Sequence, residues 1–168
     1  MRMWPSNRSS DIAALILRIV TGLIFIPHGW SKVFGSGGAA AFAADVPTYG
    51  LPAFLGYIAA YAEFFGAALL ILGLLTRLDA FLLACTMAVA TFLVQLPDAL
   101  YEVQPGSIKL FVALRGIETP LALLAMSLAV MFLGGGRFSL DALLRTEERV
   151  LGMFRKTPAA ASAVGNVT

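Results

Sequence analysis

Apolar positions fall into four long runs, separated by short stretches that hold much of the glycine, proline and charge. The runs cover about 11–34, 52–75, 78–96 and 116–134, each near the roughly 20 residues that cross a hydrocarbon core. A chain inside lipid finds no water for its backbone, so each run is predicted to be a helix. Most ends carry local signals. Ser10 and Asp11 suit a helix start, and Pro52 suits a first turn. Pro97-Asp98 closes the third run, and Gly134-Gly135-Gly136 closes the fourth. Arg115, Gly116 and Glu118 interrupt an apolar stretch that begins near Ile108. The fourth helix is therefore placed from Gly116, with residues 108–114 along the membrane surface. Little more than Thr76-Arg77 joins the second and third runs, which predicts a tight helical hairpin. The first run is too long for a cleaved leader and is read as a retained span.

The pattern predicts an all-α, integral-membrane four-helix bundle, and composition agrees. Of the 168 residues, 59% are hydrophobic and only 13% charged, about half the charge of an average soluble domain. Mean hydropathy is +0.84. The net charge of +2 gives no reason to expect nucleic acid. One cysteine, Cys85, excludes an internal disulfide, and one histidine excludes a metal site built from several imidazoles.

Lys and Arg set the expected direction. Arg2, Arg8, Arg77, Arg137, Arg145, Arg149, Arg155 and Lys156 fall on the side of the N-terminus, against Lys32, Lys109 and Arg115 on the other. That imbalance places both termini in the cytoplasm. Segment 1–10 is then a cytoplasmic lead-in. Segment 139–153 alternates Leu140, Leu143, Leu144, Val150 and Leu151 with Asp141, Arg145, Glu147, Glu148 and Arg149, the pattern of a short amphipathic helix on the inner leaflet. Segment 154–168 reads as disordered.

Ionisable residues inside spans cost roughly 2.5–3.5 kcal/mol each on insertion scales, so each needs a partner or water. Arg18, Phe25, His28 and Lys32 recur at helical spacing and are expected on one inward stripe. Arg18 and Glu63 differ in depth by roughly 10 Å at 1.5 Å per residue, within reach of a tilted arginine. The expected arrangement is an Arg18–Glu63 ion pair and a separate outer cluster of His28, Lys32 and Glu118, with Gln95 and Tyr57. His28, Glu63 and Glu118 are the candidate catalytic groups. Each also has a plainer reading, since a buried pair can simply fix helix register. Lys32 and Arg77 can act as interfacial anchors. Gly66 and Gly73, beside Ala67 and Ala68, suit close helix packing.

The sequence resembles the DoxX family of small bacterial membrane proteins. The first span carries Arg18, Gly22 to Phe25 and His28-Gly29-Trp30-Ser31-Lys32. The second carries Tyr61-Ala62-Glu63-Phe64-Phe65-Gly66, then Gly73-Leu74-Leu75-Thr76-Arg77. The fourth exits through Gly134-Gly135-Gly136-Arg137-Phe138-Ser139-Leu140-Asp141. The resemblance covers about 15–144 and is poor over 103–114. It implies a multi-pass protein of the bacterial plasma membrane and a link to redox biology, including quinone chemistry.

Three functions remain open on the sequence. One is a subunit or accessory of a quinone-linked or oxidative-stress redox system, with a quinone at a polar intramembrane site. No haem, flavin or iron–sulfur motif is present, so electrons would come through a diffusible quinone or a redox partner protein. The second is a non-enzymatic scaffold or assembly factor. The third is a small transporter or lipid-handling protein, which with four spans would work as a homo-oligomer.

Overall fold

The computed structural model describes residues 8–101 and 109–144. Expected features in 1–7, 102–108 and 145–168 lie outside the described residues; these include the rest of the amphipathic segment and the tail. Helix α1 spans Arg8–Phe34. A short helix α2, Gly38–Asp45, and a 3₁₀ turn, Val46–Tyr49, follow. The next span is built from α3 (Phe54–Tyr61), a π-helical turn (Ala62–Gly66) and α4 (Ala67–Leu72). The third comprises α5 (Thr76–Val89), a second π-helical turn (Ala90–Gln95) and α6 (Leu96–Tyr101). Helix α7 spans Lys109–Leu133, and α8 is the short Leu140–Leu144.

Among the described residues, four stretches are long and apolar enough to cross a membrane: Arg8–Phe34, Phe54–Leu72, Thr76–Tyr101 and Leu114–Leu133. Two expected boundaries move. The third span does not stop at Pro97, because proline in a first helical turn forfeits no needed hydrogen bond, and the π-helical turn before it lets a new helix, α6, start at Leu96. Helix α7 starts at Lys109 rather than Gly116. Gly116 and Arg115 sit inside it because Gly116 packs against Ala99 of α6, where an added Cβ would overlap that methyl.

Phe25, Leu70, Leu83, Met87, Leu123 and Val130 form the apolar core, filled out by Ala67 and Ala80. The closest helix approach is made by α1. A Cβ on Gly29 would sit 2.5 Å from the Phe64 backbone nitrogen, and one on Gly22 would sit 2.9 Å from the Ala67 carbonyl oxygen. These two glycines, seven apart, share one face of α1 and carry the close packing expected of Gly66 and Gly73. Gly66 has only ordinary contact with Leu83, at 3.8 Å. Gly73 instead ends α4 with φ 72°, a left-handed conformation open to glycine.

Gly29→Ala is therefore expected to destabilise the bundle by about 1–3 kcal/mol, since backbone must move to admit the methyl. Gly66→Ala, with room for its Cβ, serves as the tolerated control. Thermal unfolding of both variants in bicelles checks the contrast; equal melting would contradict the α1 register.

Candidate functional site

Two polar centres lie inside the bundle, one toward each end. The first is built on Glu63. Its side chain is 1% exposed, and Lys32 Nζ donates to both carboxylate oxygens, at 2.5 and 2.6 Å. Glu63 sits on the π-helical turn 62–66, a local widening of the helix that often marks functional positions. The Gly29–Phe64 contact fixes the register that brings Lys32 to this level. Helix α2 folds back beside it, and the Phe42 ring lies 4.7 Å from the Lys32 ammonium, a cation–π contact. On the other flank, Phe64 packs edge-on to Trp30 and Phe34, with centroids 5.8 and 5.3 Å away. Glu63 is buried while Lys32 is 23% exposed, so the pair is reached from the lysine side.

The second centre lies where α1, the α4–α5 turn and the chain after α7 meet. Arg18, 1% exposed, donates to the carbonyl oxygens of Gly135 at 2.7 Å and Phe138 at 2.8 Å. Asp141 accepts from the backbone amides of Leu75 and Thr76 and from the Thr76 hydroxyl, each at 2.8 Å. Its own amide donates to the Gly73 carbonyl oxygen at 2.9 Å. Asp11 Oδ1 accepts from the Arg137 amide at 3.1 Å. Asp79 is buried beside this centre, with Oδ2 lacking a hydrogen-bond partner.

The expected Arg18–Glu63 pair does not form. Glu63 is level with Gly29 to Lys32, and Arg18 lies more than two turns away, where the glycine-rich exit of α7 offers carbonyls at hydrogen-bond distance. The outer cluster is not assembled either. His28 and Tyr57 are exposed, Gln95 is half-buried, and Glu118 is exposed in a shallow groove along α7 with Leu114, Arg115 and Leu121. Among the described residues no hydrogen bond or ion pair joins these four to one another or to Lys32. His28 leaves the inward stripe because the buried face of α1 is centred between Phe25 and Gly29, both buried, which turns position 28 outward. Lys32 and Arg77 are not free anchors: Lys32 pairs with Glu63, and Arg77 donates to the Met131 carbonyl oxygen at 3.3 Å. Sequence reasoning missed Asp141 as a capping group and Asp79 as a buried carboxylate. The Ser-Leu-Asp stretch right after a glycine-rich stop was the available signal for Asp141.

The described residues contain no group of three or more His, Cys, Asp or Glu placed to hold a metal ion. The family model described as DoxX matches residues 13–96, half of the chain. That segment holds Arg18, Lys32, Glu63 and Asp79. A Bacillus subtilis (strain 168) protein named "Putative oxidoreductase CatD" is 40% identical over 90 residues, which is 54% of this chain. The match spans 65% of that relative's own length. No solved structure matches the chain.

Proposed function

The chain belongs to the DoxX family, and from that premise we propose that it is the membrane subunit or accessory of a quinone-linked or oxidative-stress redox system. It is a multi-pass protein of the bacterial inner membrane, in keeping with its family and its four apolar spans. The name of the Bacillus relative supports an oxidoreductase association. The observation that carries the reading is the Lys32–Glu63 pair on a π-helical turn, half-open on the lysine side and bordered by aromatic rings. A quinone headgroup binds through a donor to its carbonyl oxygen and needs a nearby group that exchanges protons. Lys32 Nζ would donate, Glu63 would pass or accept the proton, and Phe42 and Phe64 would bound the ring. Electrons would come from a redox partner protein. Both termini would face the cytoplasm, as the Lys and Arg distribution favours.

Quinone binding to the protein in lipid nanodiscs tests this. Glu63→Gln keeps the shape but removes the charge that holds the Lys32 ammonium in place, and is expected to weaken binding about tenfold, or about 1.4 kcal/mol. Wild-type protein that binds no quinone over a range of headgroups would end the direct-site reading. The Arg18 and Asp141 centre, closed by hydrogen bonds, favours a second reading as a scaffold. In that case both centres hold the bundle rigid for a partner, Glu63→Gln changes stability, and wild type binds no quinone.

A further inference from the structure

The outward face of α7 carries a pattern that the fold does not use. Leu114, Leu121 and Leu128 recur every seven residues, with Glu118, Ala125 and Phe132 interleaved, and all six are exposed. Alternating steps of three and four make the seam of a left-handed helix pair. Any helix of a bundle in lipid has an apolar outer face, so exposure alone decides nothing. Charge decides here. Arg115 and Glu118 lie on or beside this seam inside the apolar span Leu114–Leu133, and both are exposed. Neither has an ion pair or hydrogen bond among the described residues. They stand in the first turns of the span, where an exposed charge costs less than at the bilayer centre but a partner is still favoured. Ala122 and Ala125 line the same groove and admit a close helix approach.

The geometry points to a second copy of this chain as the occupant, packed about a two-fold axis along α7, with Arg115 of each copy paired to Glu118 of the other. The surface is self-complementary in charge. The two residues are one turn apart, about 4.5 Å in rise, so parallel copies at equal depth bring each guanidinium within reach of the opposing carboxylate. Symmetry then forms the pair twice. A different partner would need its own matched acid and base at this depth, whereas a second copy supplies them by necessity. Asp98 on α6 is an exposed carboxylate at this end, next to the Ala99–Gly116 contact, and it is included in the test as a competitor for Arg115.

In a Cys85→Ala background, Ala125→Cys on the seam is expected to form an oxidative crosslink between two copies in dilute proteoliposomes. Ile16→Cys on the outer face of α1 should give about tenfold less. Glu118→Arg or Arg115→Glu alone should cut the dimer about tenfold, as expected for loss of two interhelical polar contacts. The double exchange should restore it, and Asp98→Asn should leave it unchanged. Ala122→Leu, a bulky group on the seam that carries no charge, should also separate the copies if the charge reversals fold poorly. Single-step photobleaching of wild type, equal crosslinking at position 16, or an Ala125→Cys crosslink to a different polypeptide in native membranes would overturn the proposal.

Discussion

Lys32→Met is expected to destabilise the folded bundle by on the order of 3 kcal/mol, because it strands a buried carboxylate. Glu63 is 1% exposed and takes both of its close donor contacts from Lys32 Nζ. Without the ammonium it must either stay charged in an apolar setting or take up a proton, and both cost free energy. The double variant Lys32→Met with Glu63→Met should recover most of the loss, since replacing both members of a buried pair by apolar groups of similar volume is often close to neutral. Reversible unfolding in bicelles reads the cycle. A neutral single variant would mean that Glu63 has another partner or is already uncharged. The same double variant separates stability from function, for it should fold and yet bind no quinone if the pair is the ligand site.

Asp141→Ala is expected to cost about 3 kcal/mol and to loosen the turn between α4 and α5. Its carboxylate accepts three hydrogen bonds at 2.8 Å, two of them from backbone amides at the start of α5. Those amides have no acceptor within their own helix, and bonds to a charged acceptor contribute about 1.5–3 kcal/mol each before compensation by water. Leu75 adds strain, since its φ of 51° is a left-handed conformation that costs a non-glycine residue roughly 1–2 kcal/mol. Asp141→Asn keeps one acceptor oxygen and should lose about half as much. Hydrogen exchange at the Leu75 and Thr76 amides gives a local readout: both should speed up in the alanine variant. Protection equal to wild type would show that the turn holds without its cap.

Hydropathy made the four spans legible, because period and length are properties of the chain itself. The inward placement of Arg18 and Phe25 was legible for the same reason. Pairing across helices was not, because it depends on register. Register here rests on Gly29 meeting the Phe64 backbone and on α2 folding back between the first two spans, and a run of Gly and Ala gives no count of how far a connection travels. Hence counting depth along the spans pairs Glu63 with an arginine on one side of it, whereas the lysine on the other side is nearer. His28 drew attention as the lone imidazole, yet its position at the edge of the buried face turns on Gly29, one residue on. The π-helical turns at 62–66 and 90–95 add a residue to the winding, which shifts every face beyond them and is invisible to a regular helical period.

The cap on the α4–α5 turn has a consequence for how the chain is made. Thr76 waits for a carboxylate 65 residues downstream, so a nascent chain can insert its first three spans while the hairpin between the second and third still lacks its acceptor. Only when α7 has crossed and residue 141 has emerged from the ribosome can the turn lock, with Arg18 drawn onto the Gly135 and Phe138 carbonyls in the same event. Biogenesis of this bundle would then end in a closing step rather than a gradual one, and chains released early would be left open at this end.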